Sequence, residues 1–334
     1  MSEVHVALYR KYRPNTFTDV VGQEQIVELL QSSLKQKKIS HAYLFCGGRG
    51  TGKTTVARIF SRDIGCNPED IIEIDAASNR GIDEIRELRD AVRTAPFSSP
   101  YKVYIIDEAH MLTKEAANAL LKTLEEPPAH VIFILATTDP EKLPQTIVSR
   151  CQKIQFTFPP LDVLSKRLIF VADKEGKTLD SKTALLIASH GKGSYRDALG
   201  VLEQVLTLGG KNINYEVTSS YLGAPEQTIL LDLLESMCKK NEERIISAVT
   251  TLEKNNSSAL RTYDELLNLI RQGLLIRIGE ATSNDTRLFQ LSKEHALVIN
   301  SQLILQLLEK RSLLLVSEFH SWSAFLAITL SLSE

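Results

Sequence analysis

Residues 47–54 read Gly47-Gly48-Arg49-Gly50-Thr51-Gly52-Lys53-Thr54, a complete G-x-x-x-x-G-K-T segment. A short apolar run, 42–46, precedes it, and a helical pattern begins at Lys53. The glycines let backbone N–H groups turn toward phosphate oxygens without a Cβ in the way. The helix that starts at Lys53 adds the partial positive charge of its N-terminus. In this strand–loop–helix context the segment is a phosphate cradle. Lys53 points to the β- and γ-phosphates of a nucleotide and Thr54 to Mg²⁺. The loop backbone is read as what holds the turn, with the lysine head exposed.

A second element supports the first. The β-branched and aromatic run 103–106 ends in Asp107-Glu108, about fifty residues after the glycine-rich loop. A buried strand here delivers two carboxylates to the edge where open α/β sheets bind ligands. Asp107 is placed to hold Mg²⁺, and Glu108 to polarise an attacking water as general base.

Around these motifs, strand-like runs at 42–46, 71–74, 103–106 and 131–136 alternate with helical patterns at 81–93 and 114–125, the latter stopped by Pro127 and Pro128. Such alternation predicts an α/β domain with a parallel sheet covered on both faces. Pro159-Pro160 marks a boundary. The β signal then fades. The stretches 164–175, 182–189 and 196–206 read as a small helical bundle, followed by a turn at 208–210. Long amphipathic helices are expected at 227–239, 242–255, 260–281, 293–316 and 318–332. Three domains follow: 1–158, 159–222 and 223–334, within the range that 334 residues allow at roughly 150 per domain.

A net charge of −2 excludes a bulk polycation, so any nucleic-acid contact must come from local basic positions. Cys46, Cys66, Cys151 and Cys238 are scattered without a CxxC pair. They read as reduced cytosolic thiols rather than a disulfide framework. The opening residues lack the apolar core of a signal peptide. The apolar tail at 322–332 is short, with Glu318 and His320 upstream, so a buried helix is expected rather than a membrane span.

The remaining motifs carry a resemblance. Leu8-Tyr9-Arg10-Lys11-Tyr12-Arg13-Pro14, Val20-Val21-Gly22-Gln23-Glu24, Leu120-Leu121-Lys122-Thr123-Leu124-Glu125-Glu126-Pro127-Pro128, Ser149-Arg150-Cys151 and Gly193-Ser194-Tyr195-Arg196-Asp197-Ala198 stand in this order. The chain resembles the bacterial DNA polymerase III gamma/tau subunits, AAA+ motors of DNA clamp loaders. The resemblance implies an AAA+ P-loop domain, a small helical lid and an all-α collar. It implies ATP as substrate, with Thr137 as sensor 1, Arg196 as sensor 2 on the lid, and Arg150 as an arginine finger acting in trans on a neighbouring subunit. Arg10, Pro14, Val20 and Val21 match the adenine-side wall, and Arg80 and Lys114 match positions facing the DNA backbone. The implied partners are delta, delta-prime, the sliding clamp (beta) and primer-template DNA, in a pentameric ring within the cytoplasmic polymerase III holoenzyme. The family is classed with the DNA-directed DNA polymerases. Ordinary alternatives stand beside these roles: a surface arginine at 150, an Arg196–Asp197 ion pair, a strand-end cap at Thr137, solvated charges at 80 and 114.

Two departures are visible. The family's four-cysteine zinc module is missing, because Cys66-Asn67-Pro68-Glu69-Asp70 runs straight into 71–74. One thiolate cannot make a tetrahedral site, so no zinc is expected. The sequence stops at Glu334, which matches the short gamma-like form without a tau extension. Competing readings are a replication-factor-C-like small subunit, a helicase- or recombination-type AAA+ ATPase, and a delta-prime-like scaffold. Lys53-Thr54 with Asp107-Glu108 argues against the scaffold.

Overall fold

All four apolar runs become strands of one parallel sheet: β1 (Ala42–Cys46), β2 (Ile71–Asp75), β3 (Lys102–Asp107) and β4 (Val131–Thr137). The fifth strand, β5 (Gln152–Gln155), has only Ile154 buried. The spatial order is β2-β3-β4-β1-β5. This computed structural model describes residues 6–78, 91–208, 210–255, 257–279, 286–315 and 320–332, and divides into two units, Met1–Ile213 and Asn214–Glu334. The expected helix at 81–93 lies mostly outside the described residues, as do Arg80 and Gly209 of the expected 208–210 turn.

Because side chains alternate along a strand, each strand feeds both faces of the sheet. Leu44, Tyr104, Ile106, Phe133 and Leu135 pack on one face with Ala116, Leu120 and Leu124 of helix Lys114–Glu125. Tyr43, Phe45, Ile105, Ile132 and Ile134 pack on the other with Ile26 and Leu30 of helix Glu24–Lys35 and with Val56, Ile59 and Phe60 of helix Lys53–Asp63. Full burial of such side chains contributes about 1.5–3 kcal/mol each, which is why the central strands read as unbroken apolar runs. Register then places the site. Cys46 pairs with Thr137 and Ile106 with Leu135, so the C-terminal ends of β1, β3 and β4 emerge on one edge.

The rest of the first unit is mainly helical, with one short parallel pair of strands, Thr178–Leu179 and Asn212–Ile213. Helices Leu161–Lys174, Ser181–His190 and Tyr195–Thr207 bury Leu164, Leu168, Ile187, Leu202 and Val205. Asp180 and Ser194 cap the second and third by accepting from the N–H groups of Thr183 and Asp197.

The second unit is all helix among the described residues, and its core joins Leu233, Leu234, Ile245, Leu252, Tyr263, Leu266, Ile270, Leu307 and Phe325. The Tyr263 hydroxyl donates to the carbonyl of Leu307 (2.6 Å), and Arg311 grips Asp264 through two bonds of 2.7 and 2.8 Å. One expectation is corrected here. The stretch 293–316 is not a single helix: it divides into the end of Thr286–Glu294, a separate helix Ser301–Lys310 and a 3-10 turn Arg311–Leu315. Turns at 295–298 follow the first helix, and Asn300 opens the second. Its backbone is extended (φ −139°) and its side chain accepts from the Leu303 N–H at 2.9 Å, which starts a new helix. No helix of the described residues is long and apolar enough to cross a membrane.

Candidate functional site

The loop after β1 needs its glycines. Gly47 has φ +149°, and a Cβ there would stand 2.4 Å from the Phe156 carbonyl oxygen. Gly50 has φ +75°, and a Cβ there would meet Ser194 Oγ at 2.0 Å. Ser194 opens the third helix of the bundle, so the loop and that helix touch with no room for a side chain.

Lys53 is buried rather than exposed, at 6%, which corrects the sequence reading. Its Nζ donates to the carbonyls of Gly47 (2.8 Å) and Gly48 (3.0 Å), so the head group helps to hold the turn. Burial pushes its pKa down, and the carboxylates of Glu108 and Asp107 oppose that shift. Thr54 Oγ1 donates to Asp107 Oδ2 at 2.7 Å, joining the loop to the end of β3. Asp107 Oδ1 accepts from the Glu108 N–H at 3.0 Å. Glu108 itself sits at φ +47°, a left-handed conformation uncommon for a residue with a side chain and typical of functional turns. Thr138 Oγ1 donates to Glu108 Oε2 at 3.4 Å. Thr137, fully buried, accepts from the Asp139 N–H (3.1 Å) and lies 3.0 Å from His110 Nδ1. Thr137 therefore does cap the strand end, while its hydroxyl also belongs to a side-chain network.

An open cavity borders Lys53, Thr54, Asp107 and Glu108. Of the expected residues, Pro14, Val20, Val21, Arg49, Gly50, Thr51, Gly52, Lys53, Thr54, Asp107, Glu108 and Arg196 line it. Gly47, Gly48, Thr137, Arg10 and Arg150 are not among its lining. Arg10 is exposed, with its guanidinium 5.8 Å from the Tyr9 ring centroid. Arg150 donates to the Thr146 carbonyl (2.8 Å) and to Glu125 Oε1 (2.6 Å). Lys114 is exposed at the start of its helix, where Thr113 is the cap.

Several contributors were not anticipated. The Tyr195 hydroxyl donates to the Val21 carbonyl at 2.6 Å, and burial pushes its pKa up to about 12. Gln23 Nε2 donates to the Thr157 carbonyl (2.7 Å) and, at 3.3 Å, to that of Thr51. Arg196 stacks 5.0 Å from the Tyr9 ring centroid, a cation–π contact. Tyr12, whose hydroxyl bonds Glu175, and Arg167, which donates to the Tyr12 carbonyl (3.1 Å), close the far side. Tyr9, Tyr12, Gln23 and Tyr195 all lie inside the motifs quoted above, and adjacency to those motifs was the available signal.

Known proteins are similar to this chain. The family model described as DNA polymerase III, delta subunit, matches residues 22–79 and 67–160. The tau subunit of DNA polymerase III from Bacillus subtilis is 42% identical over 292 residues, covering 81% of this chain and 52% of that protein. The gamma subunit from Buchnera aphidicola is 35% identical over 312 residues, covering 87% of this chain and 84% of that protein. The chain belongs to the DNA polymerase III gamma/tau family. It spans about half the length of the tau subunits it matches, 52% for Bacillus subtilis and 48% for Escherichia coli. Among solved structures, the Thermotoga maritima RuvB Holliday junction branch migration motor aligns with a TM-score of 0.54. It is 20% identical and covers 68% of this chain and 79% of that one. At that identity the likeness is one of fold, the AAA+ P-loop arrangement expected for gamma/tau. In this gamma/tau chain, residues from 14, 20–21, 49–54, 107–108 and 196 come together along one cavity.

Proposed function

We propose that this chain binds ATP with Mg²⁺ and hydrolyses it as a motor subunit of a bacterial clamp loader. The observation that carries the reading is the junction of Lys53, Thr54 and Asp107 beside Glu108, in a member of the gamma/tau family. Thr54 Oγ1 and Asp107 Oδ2, 2.7 Å apart, are the hard oxygen donors that suit Mg²⁺, which takes few protein ligands beside phosphate oxygens. When bound, the ion neutralises charge on those oxygens.

The chain's own groups do the rest. The glycine-rich loop and Lys53 hold the phosphates. Lys53, already partly desolvated, exchanges two carbonyl partners for an anionic one. Glu108, aimed by its left-handed backbone, accepts the proton of the attacking water. Thr137 donates to the terminal phosphate, Arg196 reports its charge to the lid, and Arg150 completes a neighbour's site. Pro14, Val20 and Val21 wall the base. In this reading residues 1–158 are the ATPase domain, 159–222 the lid and 223–334 the collar. The collar builds a pentameric ring with delta and delta-prime, which loads the sliding clamp onto primer-template DNA within the polymerase III holoenzyme. Lys114 and Arg80 are proposed backbone contacts to that DNA.

ATP turnover by the full chain, alone and then reconstituted with delta, delta-prime, clamp and primed DNA, tests this. DNA-stimulated hydrolysis with clamp loading is expected. Binding without hydrolysis in every mixture would instead favour a scaffold subunit.

Glu108→Gln keeps the shape and removes the base. It is expected to bind ATP normally and to hydrolyse it about 10²–10⁴-fold more slowly in single-turnover assays. An unchanged rate would mean that another group positions the water.

We also propose that the chain carries no structural zinc. Cys66 is buried, its thiol donates to the Tyr101 carbonyl (3.2 Å), and burial pushes its pKa up to about 11. Where the family's module would begin, Asp70 accepts from the N–H groups of Phe97 (2.6 Å) and Ser98 (3.0 Å), so hydrogen bonds close this segment. Elemental analysis of purified protein is expected to find far less than one zinc per chain. A stoichiometric ion that resists dialysis would overturn this.

A further inference from the structure

His110 has no role in the reading above, yet it lies between two groups that do. It sits in the 3-10 turn Ala109–Met111 directly after β3, with its side chain 9% exposed. Its Nδ1 is 3.0 Å from Thr137 Oγ1 and 3.5 Å from Glu108 Oε2.

The hydrogen-bond inventory of Thr137 gives this position its meaning. A threonine hydroxyl has one proton to donate and two lone pairs to accept with. The Asp139 N–H takes one lone pair. If Nδ1 carries a proton, it takes the second, and the hydroxyl proton must find a different acceptor. If Nδ1 is bare, the hydroxyl proton is consumed on His110. The Glu108 carboxylate decides between the two, because it accepts and does not donate, so it favours an N–H at Nδ1. Asp139 Oδ2 lies 3.8 Å from Nε2, beyond hydrogen-bond distance, and Lys142 Nζ already holds it at 3.0 Å. The nearer carboxylate therefore governs the ring.

We propose that His110 is a positioning residue: its Nδ1–H, held toward the Glu108 carboxylate by charge, donates to Thr137 and leaves the Thr137 hydroxyl proton free for the terminal phosphate of the nucleotide. The left-handed backbone of Glu108 fits this role, since it brings the carboxylate back over the turn toward the imidazole. The inference rests on the proposed ATPase reading, and it links the general base and the phosphate sensor through one ring.

The test uses the full chain and two readouts. Nitrogen-15 NMR of histidine-labelled protein, with the His110 signals assigned by their loss in His110→Asn, reads which ring nitrogen bears the proton. A protonated Nδ1 is expected. A neutral ring with its proton on Nε2 overturns the proposal. For kinetics, the side-chain amide of His110→Asn can place an N–H where Nδ1 stands, whereas His110→Gln places it near Nε2. His110→Gln is expected to lower kcat by about 10–100-fold, the usual cost of losing an orienting partner. Its KM and its affinity for a fluorescent ATP analogue are expected to stay within about 2-fold, and His110→Asn to recover most of the rate. Equal losses in the two variants overturn the coupling. Should both variants melt far below wild type, the NMR result on wild type still decides. Failure of the wild-type chain to bind ATP would remove the ATPase reading, while the tautomer, read without nucleotide, would still test the bond to Thr137.

Discussion

Lys53→Ala is expected to abolish useful nucleotide binding. Removing one partner of a desolvated, hydrogen-bonded charge pair costs about 2–5 kcal/mol, or roughly 30-fold to several thousand-fold in Kd. Burial sharpens the effect. Lys53 is held at 6% exposure with its ammonium depressed in pKa, so a triphosphate arriving there meets a charge that water screens poorly. Stability should also move, but less. The variant loses two bonds from the charged Nζ to the carbonyls of Gly47 and Gly48, each with a net worth of about 1.5–3 kcal/mol. It also sheds an unfavourably buried charge, which offsets part of that loss. A fall of a few degrees in Tm is expected. Lys53→Met keeps the apolar stem and separates the two effects: it should bind nucleotide as poorly as alanine yet melt closer to wild type. Titration with a fluorescent ATP analogue, alongside thermal melting, reads both. Wild-type ATP turnover in Lys53→Ala would sink the motor proposal.

That correction to Lys53 shows where sequence reading stops. The motif names the residue type and its spacing, but whether the lysine head reaches water depends on Gly47 and Gly48 folding over it. The central strands were legible because β1 and β4 are buried on both faces and spell continuous apolar runs. β5 was not, since Gln152, Lys153 and Gln155 are exposed at the sheet edge and leave Ile154 alone to signal it. The helix Glu24–Lys35 buries only Ile26 and Leu30, a sparse pattern beside a strong motif. The cradle residues and the Asp107-Glu108 pair were legible because their chemistry depends on local spacing. Tyr195 and Val21 are 174 positions apart, and Gln23 and Thr157 are 134 apart. Pairs like these exist only once the helical bundle and the linker after β5 are in place, so no local pattern can announce them. His110 falls between these cases. It stands two positions after Glu108 in the sequence, but its partner Thr137 arrives on β4, through the pairing that sets β4 between β3 and β1.

Arg150→Ala is expected to leave ATP binding by the isolated chain unchanged and to remove DNA-stimulated hydrolysis in the assembled ring by about 10³–10⁵-fold, the worth of a trans arginine. Two observations support the division. Arg150 is not among the residues lining the chain's own cavity, so its removal subtracts nothing from the phosphate contacts made there. Its guanidinium is held by the Thr146 carbonyl and by Glu125, in an ion pair whose side chains are 34% and 49% exposed. Pairs this exposed are worth about 0–1 kcal/mol, so the arginine can leave Glu125 for a phosphate at little cost. Its planar fork suits two phosphate oxygens at once, which a lysine cannot match, so Arg150→Lys should recover little of the rate. Mixed assemblies make the argument quantitative. Hydrolysis should survive only where an intact Lys53 meets an intact Arg150 across a junction. A ring built from Lys53→Ala and Arg150→Ala subunits should then retain activity at one kind of junction and lose it at the other. If Arg150→Ala alone weakens ATP binding by the isolated chain, the residue acts within its own subunit and the trans assignment fails.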